Sequence, residues 1–140
     1  VLAVDGVVYH ADDNDANREA FGCHGGVRTE DGYPHIRMCR LMEVSSHLLL
    51  DSAFDARHVG EMTLAQRMVE SVPDESITLF DRGYYSLGLL YQWQQTGTNT
   101  HWMLPARKDL QYQVVRKLSD DDAIVILTTS PQSRRKFETT

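Results

Sequence analysis

Hydrophobic positions along this chain follow two different periods. Val1-Leu2-Ala3-Val4-Asp5-Gly6-Val7-Val8 is an apolar run interrupted by one acid and one glycine, and it predicts a strand over residues 1–9. Residues 10–34 carry the breaker clusters Asp12-Asp13-Asn14-Asp15 and Gly22 through Gly26, which predict turns with at most a helical turn between them. His35 to Glu43 alternates apolar and polar side chains as a half-buried strand does, and after Ser45-Ser46 a third run extends from Leu48 to Phe54. The short gap predicts a hairpin. From Glu61 to Val72 the period changes: Met62, Ala65, Met68, Val69 and Val72 recur at helical spacing until Pro73 stops the pattern.

Ile77 to Phe80 predicts a fourth strand, closed by Asp81. A second helix is expected from Ser86, as N-cap, to Gly97, just past the last turn, with Leu87, Leu90 and Tyr91 on one face. His101 to Leu104 is a fifth strand ended by Pro105, and Tyr112–Leu118 and Ala123–Thr129 read as two more. The order β-β-β-α-β-α-β, followed by extra strands, predicts an α/β fold with a mixed sheet covered by helices. No internal repeat or low-complexity segment interrupts it.

Composition narrows the picture little. With 140 residues, 41% hydrophobic and 24% charged, the chain has the make-up of an ordinary globular domain. No apolar stretch nears the roughly 18 residues of a membrane span, and no signal peptide opens the chain. Because Val1 already lies in a core-like strand, a fragment of something longer is expected. Cys23 and Cys39 are too few for a disulfide framework or zinc site, and reduced thiols in a cytoplasmic protein are expected.

The net charge of −6 argues against a free-standing nucleic-acid binder, although its distribution is uneven. Residues 106–140 hold seven Lys and Arg against five acids, whereas the first 105 residues hold seven against fifteen.

The chemistry rests on Asp5 and Asp81. A carboxylate within a strand-forming run is costly to desolvate unless a partner compensates. Two such strands side by side would gather both acids at one place, which suits divalent cations and phosphate chemistry. Blander roles stand beside this one: Asp5 satisfied by backbone or arginine, and Asp81 opening a turn. The six histidines lack ligand spacing, Asp12, Asp13 and Asp15 lack the glycine and closing glutamate of a calcium loop, and Trp93 and Trp102 suit a core better than base stacking.

Val4-Asp5-Gly6, the stretch from Leu41 to Asp51, Thr78-Leu79-Phe80-Asp81-Arg82-Gly83-Tyr84-Tyr85-Ser86-Leu87 and the run from Leu110 to Leu118 together resemble the DDE transposases of bacterial insertion sequences, specifically the insertion sequence four family. The resemblance covers essentially the whole chain, and the Asp-Arg-Gly-Tyr run is its most specific part. It implies a ribonuclease H-like catalytic core over residues 1–105, with the first and fourth strands adjacent, and the start of a β-rich insertion over 106–140. It implies that Asp5 and Asp81 are the first two metal-binding carboxylates and that the cofactor is Mg²⁺, with Mn²⁺ as substitute. Two such ions about 3.5–4 Å apart would serve end cleavage and strand transfer.

The implied partners are transposon-end DNA, target DNA and a second protomer in a synaptic complex, in the bacterial cytoplasm or on the nucleoid. Arg82, Arg107, Lys108, Arg134, Arg135 and Lys136 are candidates for contacting DNA phosphates. The family's third carboxylate is a glutamate in a later helix, within a Tyr, two residues, Arg, three residues, Glu, six residues, Lys pattern. This chain has no such pattern, so the fragment is expected not to cleave DNA alone. The rival readings are a catalytically dead transposase remnant and a phosphotransferase of actin-like fold, for which the glycine-rich phosphate loops are missing.

Overall fold

A computed structural model describes residues 1–23 and 32–128. Five strands form one sheet in the order β3-β2-β1-β4-β5: β1 (Leu2–His10), β2 (His35–Glu43), β3 (Leu49–Ala56), β4 (Ile77–Leu79) and β5 (His101–Met103). The pairs β1–β2 and β2–β3 are antiparallel, while β1–β4 and β4–β5 are parallel. This is the expected mixed sheet, with the first and fourth strands adjacent. A separate hairpin pairs β6 (Tyr112–Lys117) with β7 (Ala123–Leu127).

Helix α1 (Asp15–Phe21) follows β1. Its N-cap is Asn14, whose side chain accepts from the Asn17 N–H at 2.9 Å, and it ends at Gly22, whose φ of 69° is a left-handed conformation suited to glycine. Helix α2 (Glu61–Arg67) is shorter than its apolar period suggested, because the chain tightens into a 3-10 turn at Val69–Ser71 before Pro73. A second 3-10 turn, Arg82–Tyr84, leads into α3 (Leu87–Gln95).

The core lies between the sheet and helices α2 and α3. Leu2 and Val4 of β1, and Cys39 and Leu41 of β2, meet Leu64 and Ala65 of α2, Met68 at its C-terminal cap, and Leu89, Leu90 and Trp93 of α3. Trp93 is fully buried, yet its indole N–H is satisfied by Thr78 Oγ1 at 2.9 Å. Phe80 packs edge-on against the same ring with centroids 4.9 Å apart. Beyond the last turn of α3, the buried Thr100 hydroxyl donates to the Trp93 and Gln94 carbonyls at 3.2 and 2.9 Å, meeting acceptors that a helix end leaves open.

Three expectations change here. The buried face of α3 is Gly88, Leu89, Leu90 and Trp93, whereas Tyr91 is 65% exposed. Met62 is exposed rather than packed, while Met68 is buried. The core lies on one side of the sheet. Register and alternation put Tyr9, Leu49, Phe54 and Met103 on the other side, and all four are exposed. Both cysteines are free thiols, Cys39 buried and Cys23 exposed.

Because Leu90 is fully buried between α3 and the sheet, Leu90→Ala should destabilise the fold by about 2–5 kcal/mol, read from urea denaturation. Tyr91→Ala, on the exposed face, should change stability by less than about 0.5 kcal/mol in the same assay.

Candidate acidic site at the end of paired parallel strands

The β1–β4 ladder pairs Leu2 with Thr78 and Ala3 with Leu79. Extended two residues past the end of β4, the same register sets Asp81 level with Asp5. Ligand sites of open α/β sheets lie just beyond the carboxyl ends of parallel strands, and Asp81 occupies such a position. Asp5 is a mid-strand residue of β1, exposed because β4 stops short of it. Among the described residues no hydrogen bond or ion pair engages its carboxylate.

Asp81 is fixed more firmly. It caps the 3-10 turn and its Oδ1 accepts from the Gly83 N–H at 2.6 Å. A Cβ at residue 83 would lie 2.9 Å from that oxygen, so glycine there lets the turn close tightly on the carboxylate. Tyr84, next in the turn, is buried, and its hydroxyl shares a hydrogen bond of 3.4 Å with the Cys39 thiol of β2. Burial pushes the Tyr84 phenol far above its ordinary range; the Cys39 contact and the charges of Glu61 and Asp5 add to that. Burial likewise raises the Cys39 thiol, opposed by the bond to Tyr84. Neither group ionises at neutral pH, so both act as structure beneath the acids.

Glu61, the first residue of α2, was not singled out by sequence reasoning. Its carboxylate lies over Gly6, the neighbour of Asp5: a Cβ at residue 6 would sit 2.6 Å from Glu61 Cδ. Arg37 Nε stands 3.8 Å from Glu61 Oε1, outside hydrogen-bond range, while Arg37 Nη1 donates to the Val59 carbonyl at 3.1 Å. Glu61, Arg37, Gly83, Ser86 and Leu89 help to line one cleft of about 420 Å³. Arg40 is the cross-strand partner of Asp5, and its Nε is buried without a hydrogen-bond partner. Among the described residues, no three His, Cys, Asp or Glu side chains form a group able to hold a metal ion.

Of the DNA-contact candidates, Arg82 is exposed on the turn after Asp81, and Lys108 is exposed on the loop after β5. Arg107 is engaged by Asp109 through two bonds of 3.0 and 2.8 Å and lies 5.9 Å from the Tyr85 ring. Arg134, Arg135 and Lys136 lie outside the described residues.

A mixed α/β domain with one acid on a central strand and another just past the end of its parallel neighbour is the class that fold and site define. The family described as the transposase DDE domain matches residues 1–139. The chain is 42% identical over 137 residues to the transposase InsG for insertion sequence element IS4 of Escherichia coli strain K12, a match covering 98% of this chain and 31% of that protein. It is 35% identical over 116 residues to "Putative transposase InsZ" of the same strain, covering 82% of this chain and 39% of that one. The chain belongs to the DDE transposase domain family. It spans about a third of the length of these curated relatives.

Since folding raises the Tyr84 pKa above its unfolded value of 10.0, that contribution to stability is complete below pH 10 and is lost as pH rises beyond it. Alkaline titration followed at 295 nm should leave Tyr84 protonated until the fold opens, and Tyr84→Phe should remove this step while preserving the other tyrosine ionisations.

Proposed function

We propose that this chain is the front part of a ribonuclease H-like transposase catalytic core, residues 1–105, followed over 106–140 by the start of a β-rich insertion. In the full-length protein, Asp5 and Asp81 hold divalent metal for cleavage at transposon ends and transfer into target DNA. The observation that carries this reading is the β1–β4 register, which brings level two acids distant in sequence. The donor set fits: both are hard oxygen ligands, and among the described residues no hydrogen bond or ion pair engages the Asp5 carboxylate.

When bound, Mg²⁺ or Mn²⁺ supplies activation of a water or 3′-hydroxyl and neutralises charge on the scissile phosphate. The protein's share is positional. β1 holds Asp5 through its pairing with β2, and the Gly83 N–H orients Asp81. Tyr84 and Cys39 anchor the turn that carries Asp81 to the centre of the sheet.

Two metal carboxylates leave the third acid of the family's triad to the segment that follows, so residues 1–140 alone should not cleave DNA. Arg82, in the turn after Asp81, and Lys108 are the exposed candidates for meeting DNA phosphates, and Arg107 would have to exchange Asp109 for a phosphate to do so. Arg134, Arg135 and Lys136 extend the same basic segment. End DNA, target DNA and a second protomer are the expected partners, in the bacterial cytoplasm. No helix among the described residues is long and apolar enough to cross a membrane.

In the full-length transposase, Asp5→Asn and Asp81→Asn should each reduce Mg²⁺-dependent end cleavage to background while gel-shift affinity for end DNA changes less than about threefold. Metal-dependent nicking by either variant at the wild-type rate would overturn the assignment.

A further inference from the structure

We infer that the sheet face opposite the core is the seat of a later segment of this same chain, from beyond Thr140, which covers it with an apolar stripe and brings a carboxylate to Arg40; this rests on residues 1–140 being the front part of a longer transposase, as proposed above. Strand pairing sets what the face offers. Register aligns Leu49, Met42, Ala3, Leu79 and Met103 in one row that crosses all five strands. At about 4.8 Å between strands, that row is roughly 19 Å wide. A second row joins Phe54, Met38 and Val7. Leu49, Phe54 and Met103 are exposed and the others partly so. Soluble proteins rarely leave a contiguous apolar surface of this breadth to water.

Between the two rows lies a polar one, Ser52, Arg40 and Asp5. The Arg40 Nε is buried and has no hydrogen-bond partner, and Asp5 does not supply one. A shielded donor without an acceptor is costly, and a guanidinium beneath a cover needs a counter-charge as well. The covering segment is therefore apolar along its length with an acid set opposite Arg40.

Topology favours chain that follows β5. Strands β1, β4 and β5 succeed one another in one direction across the sheet, and right-handed crossovers keep α2 and α3 together on one face. Chain that turns back from the edge strand β5 is delivered to the other face, as in doubly wound sheets. The curated relatives are long enough to provide it, since the matches cover 31% and 39% of their lengths. A tether holds such a segment near the face at roughly millimolar effective concentration. A second copy brings its own net charge of −6 against this one, and apolar rows offer nothing to DNA phosphates.

The test uses the full-length transposase with p-benzoylphenylalanine in place of Phe54, irradiated and mapped by mass spectrometry. The expected product is an intrachain link to a peptide from beyond Thr140. A link between two copies, a link to any other part of the chain, or no link overturns the inference. Phe54→Asp should lower the melting temperature by about 5 °C or more at every protein concentration, whereas Tyr91→Asp should shift it by about 1 °C or less. Equally small shifts for both would mean an open face and overturn it too.

Arg40→Met should lower the melting temperature by about 3 °C or more, because the incoming carboxylate loses its partner, and Arg40→Lys should recover part of that. A rise with Arg40→Met would mean that no acid arrives. Asp5→Asn cleavage keeps this inference apart from the metal assignment. If Asp5→Asn cleaves as wild type while the Phe54 link forms, the cover stands and the metal assignment fails. If Asp5→Asn loses cleavage and the link is absent, the cover alone fails.

Discussion

The parallel pairing of β1 with β4 spans two residue pairs, yet the arrangement of the acids depends on it. Parallel neighbours cannot be joined by a tight turn, so the chain between them must make a long excursion. Here that excursion runs through helix α1, the β2–β3 hairpin and helix α2, and it contributes Cys39, Leu41, Leu64, Ala65 and Met68 to the core on the way. Strand alternation then fixes what the pairing means chemically. A slip of one residue between β1 and β4 would turn one acid to the opposite face of the sheet.

Packing holds that register from both sides. Thr78, in the paired part of β4, is locked to α3 by the Trp93 indole, and Phe80 lies edge-on against the same ring. On the other flank, Tyr84 reaches beneath the turn to Cys39 of β2, the cross-strand partner of Gly6. The two carboxylates are therefore carried on elements rooted in buried aromatics. A candidate site mounted this way is positioned by the core, more accurately than loops alone would allow. Its exposed acids cost the fold little, because Asp5 lies beyond the end of β4 and Asp81 on a surface turn.

Much of this was legible in the residues. Asp5 and Asp81 stood out because each interrupts or ends a strand-forming run, and the order of elements suggested that their strands adjoin. The hairpin and the stop at Pro73 followed from turn chemistry. Glu61 was not legible: a glutamate at a helix start is what dipole arguments expect, and only its seat on Gly6 distinguishes it. Tyr91 was misread because Leu87, Leu90 and Tyr91 do share a helical face, but α3 meets the core with Gly88, Leu89, Leu90 and Trp93. The Tyr84–Cys39 contact joins residues far apart in sequence, and no local pattern announces it.

The sheet is dressed on one side. Opposite the core, Tyr9, Leu49, Phe54 and Met103 offer greasy surface to water. Such a surface tends to find a cover, and in its absence copies of the domain will tend to cover one another. The surplus of negative charge works against that by keeping molecules apart. Solubility of this segment on its own is thus a contest between an oily back and an anionic skin, and ionic strength, by screening the second, should favour the first.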